Sequence, residues 1–402
     1  MWVPTPSDEI GSSALPLRRR IEEMPRYDAI VVGAGPAGST AAYRLATAGA
    51  SVLLLDRERF PRDKPCGGGV TIRALRQLPF AIDPVVEEVV DGFELRIGHR
   101  RGFERRAAEP LALMTQRRRL DAYLVEQAVA AGAELRDGVK VTRARGTSVE
   151  ADGGLLEGTV LIAADGANGV VARSLGIPVE CDRPVALEGS IPYGHVSRER
   201  YRGKLVLEFG TVPGGYGWVF PKGDHVNVGV GGWASEGPRL REHLARLCAA
   251  HGMDAGELQG VRGHRLPLRR PGSALAQGCV ALVGDAAGLV DPLSGDGMYE
   301  AFLSARLASE QALAILAGDA DGFEPYAARL EAELAPLVRA SWGAKRALDR
   351  FPRLTFTAAR APYLWDVVVR LMRGDLTAPG QAKGPARVPL KVLKRLAQAA
   401  TP

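Results

Sequence analysis

Gly33, Gly35 and Gly38 stand in the spacing GxGxxG. Glycines so placed can seat a pyrophosphate, and Asp56, about twenty residues further on, is where an acidic side chain can bond a ribose hydroxyl. Gly33 supplies the tight turn, Gly35 the close approach of main chain to phosphate, and Gly38 the close packing of the next helix on the strands. Pro36 and Ala37 fall in the first turn of that helix, whose positive end faces the anion. The elements that must hold these residues are legible on either side. Ala29 to Val32 is apolar on successive residues, as a parallel strand buried on both faces should be. A helix runs to Gly49, and Ser51 to Leu55 is a second strand ending at Asp56. Arg57, which follows, is counted with the cofactor-binding residues. The unit predicts an adenine dinucleotide.

The 402 residues are 46% hydrophobic and 24% charged, an ordinary folded composition long enough for two cores or one large interrupted one. The formal net charge of +6 is spread over short clusters such as Arg117 to Arg119. That balance favours an anionic cofactor, a phosphorylated substrate or an acidic membrane surface, and no aromatic-interleaved basic ladder for nucleic acid is present. Cys66, Cys181, Cys248 and Cys279 are far apart with no CxxC, so neither an iron–sulfur cluster nor a structural metal is expected; they read as reduced cytoplasmic thiols. Residues 1–26 lack an apolar run of signal-peptide length and read as a poorly ordered leader.

The loop FPRDKPCGGGVT, with Pro61, Pro65 and three consecutive glycines, is neither helix nor strand interior and lets a flat ligand approach the backbone. A glycine-turn dinucleotide unit followed by KPCGGG resembles the geranylgeranyl reductase family of flavoproteins, in which this loop borders the flavin ring. The resemblance implies FAD, with Cys66, Gly67 and Gly68 beside it. Arg117 precedes Leu120-Asp121 in the RxxLD pattern that related flavoproteins use to hold cofactor phosphates, and Asp165-Gly166 matches their DG motif. Gly284-Asp285 matches the segment that bonds the ribityl chain. The loop through Pro292, Gly295, Asp296 and Gly297 to Met298 is expected along the isoalloxazine, although Glu or Gly is the usual residue where Asp296 stands.

Between about Pro178 and Pro271 aromatic and β-branched residues alternate among Gly and Pro, which predicts a mostly antiparallel sheet. Tyr216, Trp218 and Phe220 share one face of a strand closed by Pro221; such a face is either packing or, as the match to the family's YxWxFP segment implies, a substrate pocket lined by these four residues. The expected fold is α/β: a Rossmann-type FAD-binding domain (27–177, with a small β excursion at 91–111, and 272–318), an inserted antiparallel substrate domain (178–271), and a helical C-terminal region (319–402). The expected activity is hydrogenation of carbon–carbon double bonds in a geranylgeranyl or polyprenyl chain, with Cys66, Tyr216 and Trp218 as catalytic residues and no metal. NADPH or reduced ferredoxin is the expected electron donor, since no second glycine-turn unit exists. The competing reading is a monooxygenase or halogenase acting on an aromatic or polyketide-like molecule, for which Lys64 and Lys222 are the only local lysine candidates; a flavin carrier without its own chemistry is a third. The last helix, with Leu390, Leu393, Leu396 and Ala397 on one side and Lys391, Lys394 and Arg395 flanking, fits core docking and peripheral contact with the inner face of the cell membrane equally.

Overall fold

The computed structural model describes residues 26–100 and 102–400. The expected leader lies outside them except for Arg26, which already pairs with Glu157 in the first strand. Strand Arg26–Val32 is central in a parallel sheet because Ala29, Ile30 and Val31 are wholly buried and offer apolar surface to both sides. It lies between Val52–Asp56 and Gly154–Ala163, with Val280–Leu282 and Glu134–Asp137 as outer parallel strands. The helix Pro36–Thr47 starts with proline at its first position and packs against the helices Arg117–Ala130 and Met298–Ala317. Gly38 lets the helix sit close on the glycine turn and the strand end beside it: a Cβ there would stand 1.8 Å from the Gly33 carbonyl oxygen.

A second, seven-stranded sheet runs in the order Gln259–Arg265, Val185–Pro192, His225–Gly232, Tyr216–Pro221, Lys204–Phe209, Gly92–Ile97, Phe103–Arg106. Its last two strands are the excursion that the sequence reading attached to the dinucleotide unit. Gly92–Ile97 instead pairs in parallel with Lys204–Phe209, and Arg96 bonds the buried Glu208 at 3.1 Å. A pairing so distant leaves no local periodicity to read. Register settles the faces of this sheet. Trp218 opposes Gly229 and Val219 opposes Val228, so Val219, Val226, Val228 and Val230 form the back face under the helix Leu240–Ala250. The aromatic face meets Gly229 and Gly231, which leave room for the rings; a Cβ on Gly229 would fall 2.1 Å from Trp218 Cζ2.

The C-terminal region is helical, as expected, with breaks before Pro352 and Pro362. The last helix, Arg387–Ala399, docks on Glu324–Arg350, where Gly343 lets Ala397 approach: a Cβ on Gly343 would stand 3.4 Å from the Ala397 Cβ. Among the described residues no helix is long and apolar enough to cross a membrane.

Candidate functional site

One cavity of about 1750 Å³ runs from the first glycine turn, past the Cys66 loop and the aromatic strand, to the C-terminal helices. At its first end Gly33 adopts a φ of +100°, and a side chain there would collide with the Ala164 carbonyl at 2.2 Å. Gly35 opens on the cavity; a Cβ would meet only Arg62 Nη2, at 3.6 Å. No side chain caps the helix behind it, so its first-turn amides remain available to an anion. Asp56 closes this end, its Oδ2 accepting the Ala34 N–H at 2.7 Å and its Oδ1 the Glu58 N–H at 2.9 Å. An open glycine, uncapped amides and a buried acid at the second strand's end fit a dinucleotide.

Pro36, Ala37, Asp56 and Arg57 line this end; Gly38 does not, being spent on the helix–strand contact. Asp165 also lines the cavity, but its Oδ2 is taken by the Val170 and Val171 N–H groups at 2.6 and 3.0 Å, so it caps a short helix. Arg117 is buried and held by a two-pronged pair with Asp121, both bonds at 2.7 Å, while Arg62 reaches the same carboxylate at 3.1 Å. The RxxLD segment therefore orients its own arginine, and Arg119 pairs with Glu87 at the surface.

The second anion segment is likewise neutralised from within. Lys64 Nζ lies 3.1 Å from Asp285 Oδ2. Burial alone would raise the Asp285 carboxyl; the Lys64 ammonium, with Arg117 and His264 adding to it, holds the group below the usual carboxylate range. Pro292, Gly295, Asp296, Gly297, Met298 and Gly284 all line the cavity. The helix Met298–Ala317 starts from this loop, where Asp296 accepts the Met298 N–H at 3.0 Å; burial together with neighbouring Asp291 pushes the Asp296 carboxyl up to about 6.

Between the two ends, the Cys66 loop lies directly on the aromatic strand. The Gly67 Cα faces Phe220, Cys66 Sγ accepts the Gly68 N–H at 3.4 Å, and Trp218 Nε1 donates to Asn227 Oδ1 at 2.7 Å. The Tyr216 hydroxyl donates to the Ser294 carbonyl, joining the strand to the Pro292–Gly297 loop. Tyr216, Trp218 and Phe220 line the cavity; Pro221, expected with them, does not, because side chains alternate and the odd positions face the valine side.

Sequence reading missed Glu188, and named Lys222 without its part in fixing this loop. Glu188 Oε1 accepts the Cys66 N–H at 2.5 Å, while its Oε2 is buried without a partner; burial, the largest influence, raises its carboxyl. The signal was an acid at an inward position of the strand Val185–Pro192. Lys222 Nζ donates to the carbonyls of Gly67 and Thr115, and burial pushes its ammonium down to about 8. His264, also on the wall, is held down to about 4 by burial, with Lys64 adding to it, and is neutral at neutral pH. Neither lysine named for the halogenase reading is free: Lys64 is paired with Asp285 and Lys222 is spent on backbone.

The FAD binding domain family matches residues 26–324. The chain is 30% identical over 386 residues to a chloroplastic geranylgeranyl diphosphate reductase of Oryza sativa subsp. japonica, covering 88% of this chain and 80% of that protein. It is 32% identical over 397 residues to a menaquinone reductase of Mycolicibacterium smegmatis, covering 90% and 95%. A crystal structure of a geranylgeranyl bacteriochlorophyll reductase-like protein from Thermoplasma acidophilum superposes with a TM-score of 0.77 at 22% identity, covering 92% of this chain and all of that one, which supports the fold. The chain belongs to the geranylgeranyl reductase family of FAD-dependent oxidoreductases.

Proposed function

We propose that the protein saturates carbon–carbon double bonds of a geranylgeranyl or polyprenyl chain. The observation that carries this reading is the continuity of the cavity: the dinucleotide cradle opens, past the Cys66 loop, onto an aromatic wall and then a largely apolar stretch among the C-terminal helices. When bound, FAD in its reduced form supplies the hydride such a reaction consumes. Gly33, Gly35, Asp56 and Arg57 would hold its adenosine and phosphates, and Asp285 with Lys64 its ribityl side.

The remaining work belongs to this chain's own side chains. An unactivated alkene has no carbonyl to polarise, so the protein contributes position and dryness. Trp218 and Phe220 would press the tail toward the Cys66 loop and exclude water. Glu188 accepts the Cys66 N–H and Lys222 donates to the Gly67 carbonyl, and from the loop they fix Cys66 Sγ would pass a proton to the reacting carbon. Tyr216 has committed its proton to Ser294 and acts as wall and strut.

We further propose that NADPH or reduced ferredoxin docks transiently to supply electrons, and that the protein works in the cytoplasm with peripheral contact at the inner face of the cell membrane. Exposed Leu354, Tyr363, Val388 and Val392 on the C-terminal helices support that contact. Anaerobic incubation of the reduced holoenzyme with geranylgeranyl diphosphate, read by mass spectrometry, should show two added hydrogens for each bond saturated. Products formed only with oxygen, carrying oxygen or halogen, would overturn the reductase reading in favour of a monooxygenase or halogenase.

A further inference from the structure

Each double bond saturated takes up a proton as well as a hydride, and Cys66 Sγ can hold only one proton at a time. With the cavity filled by cofactor and tail, the thiol is shut off from water on that side and has to be recharged from another group before the next turnover. Glu188 has the geometry for this. It stands at an inward position of the strand Val185–Pro192, is 5% exposed, and lines the cavity. Its Oε1 accepts the Cys66 N–H at 2.5 Å, while its Oε2 is buried with no partner among the described residues.

An orphan oxygen is costly on an ionised carboxylate and far less so on a carboxylic acid, whose proton it can carry. The cations about Glu188 are engaged elsewhere. Lys222 donates to the Gly67 and Thr115 carbonyls, Arg117 is clasped by Asp121, and Arg262, opposite Glu188 in register, leans toward Asp63 at 4.0 Å. Burial raises the Glu188 carboxyl; the Cys66 N–H, Lys222, Asn227 and Arg117 pull the other way and are outweighed.

The far sides of the pair are also suited to the task. Arg117 and Lys222 both interact with the Cys66 sulfur, so a thiolate left there after proton transfer is stabilised where it forms. Arg117 cannot recharge it, because a guanidinium keeps its protons. Behind Glu188 lies the strand Gln259–Arg265, the edge of the seven-stranded sheet, on which Arg262 is more than half exposed, so water is one strand away.

We propose that Glu188 recharges Cys66 between turnovers. As the S–H bond breaks and the proton joins the alkene carbon, the electron pair stays on sulfur; the Glu188 O–H then breaks and S–H re-forms, and the carboxylate takes its next proton from water beside Arg262. The inference rests on the prenyl-reductase reading and gives the side chain that fixes the loop a second task.

The test separates the first turnover from later ones, on the holoenzyme with geranylgeranyl diphosphate. Glu188→Gln keeps an oxygen to accept the Cys66 N–H and loses only the acid. Reduced with one equivalent of dithionite, it should saturate a first double bond at the wild-type rate, because Cys66 is charged beforehand. With dithionite in excess, its later turnovers should slow by about a hundredfold. First and later turnovers slowed alike would leave Glu188 only holding the loop and overturn the relay; so would repeated turnover at the wild-type rate, which would pass the recharging to Lys222. In the substrate-free holoenzyme at neutral pH, the wild type minus Glu188→Gln difference spectrum should show the infrared carbonyl band of a protonated carboxyl, and its absence overturns the proton store. Should the variant not fold, the wild type answers by isotope. Enzyme equilibrated in heavy water, then mixed with substrate and excess reductant in ordinary water, should put deuterium into its second product as well as its first. Deuterium confined to the first product overturns the relay and leaves the reductase reading standing, whereas no saturated product from the wild type overturns both.

Discussion

Gly67 lies against the ring of Phe220: a methyl group on its Cα would stand 2.8 Å from both Cδ2 and Cε2. The loop that carries Cys66 and the strand that carries the aromatic wall are thus one packed unit. Gly67→Ala should cost about 1–3 kcal/mol by overpacking and displace Cys66 from the wall. Turnover should fall more than FAD occupancy does, and Phe220→Leu in the same chain should recover part of it. Wild-type turnover in Gly67→Ala would show that the two elements do not depend on each other.

Gly35 faces open cavity, so its substitution tests the cofactor end without disturbing packing elsewhere. Gly35→Val should purify with little or no flavin while unfolding near the wild-type apoprotein's temperature. Visible absorbance against protein concentration measures this, and wild-type occupancy would misplace the pyrophosphate.

Cys66 and Trp218 separate proton supply from substrate seating. Cys66→Ala should bind FAD and the prenyl probe normally but turn over more slowly by about 10²–10⁴, with Cys66→Ser less affected. Trp218→Ala should keep FAD and lose affinity for the prenyl probe. If Cys66→Ala turns over at the wild-type rate, the thiol only shapes its loop; if Trp218→Ala fails to fold at all, the ring belongs to the packing.

Asp296 predicts a pH dependence of stability. Its folded value of about 6 lies above the ordinary 3.8, so the folded state binds the extra proton between those limits and stability falls as pH rises through them. Above pH 6 the folded protein carries this strained carboxylate. Asp296→Asn removes the strain and can still accept the Met298 N–H, so it should be more stable than wild type by about 1 kcal/mol at pH 7.5, after discounting for its partial exposure to solvent. The advantage should vanish near pH 4. Urea denaturation at the two pH values checks it, and an equal advantage at both would rule out titration as its source.

Val388 and Val392 are 68% and 44% exposed on the last helix. Val388→Ser with Val392→Ser should weaken co-sedimentation with anionic vesicles and leave the affinity for monomeric geranylgeranyl diphosphate unchanged. Unaltered sedimentation would remove the membrane contact.

The local part of this fold was written locally. The glycine turn, the strands on either side of it and the helix Met298–Ala317 each follow from a run of residues with one period and a marked end. Pro221 was misplaced because a motif was carried over as a block, although the alternation of Tyr216, Trp218 and Phe220 already sends it to the other face. Glu188, and the part Lys222 plays in the Cys66 loop, were hidden for a different reason. Each acts on the Cys66 loop from far along the chain, and only the folded register reveals which carbonyl or amide a buried charge will meet.

The parallel pairing of Gly92–Ile97 with Lys204–Phe209 bears on how the molecule comes to be made. Arg96 and Glu208 are 112 positions apart, so on the ribosome the earlier strand is synthesised long before its partner exists. Until then it is an unpaired edge with buried-type residues such as Phe93 turned outward, a template for another chain. Closing so large a loop also delays completion of the seven-stranded sheet. Chains released before residue 204 should therefore aggregate rather than fold, and the aromatic wall should be among the last surfaces to form, completed only after the cofactor's first strands are in place.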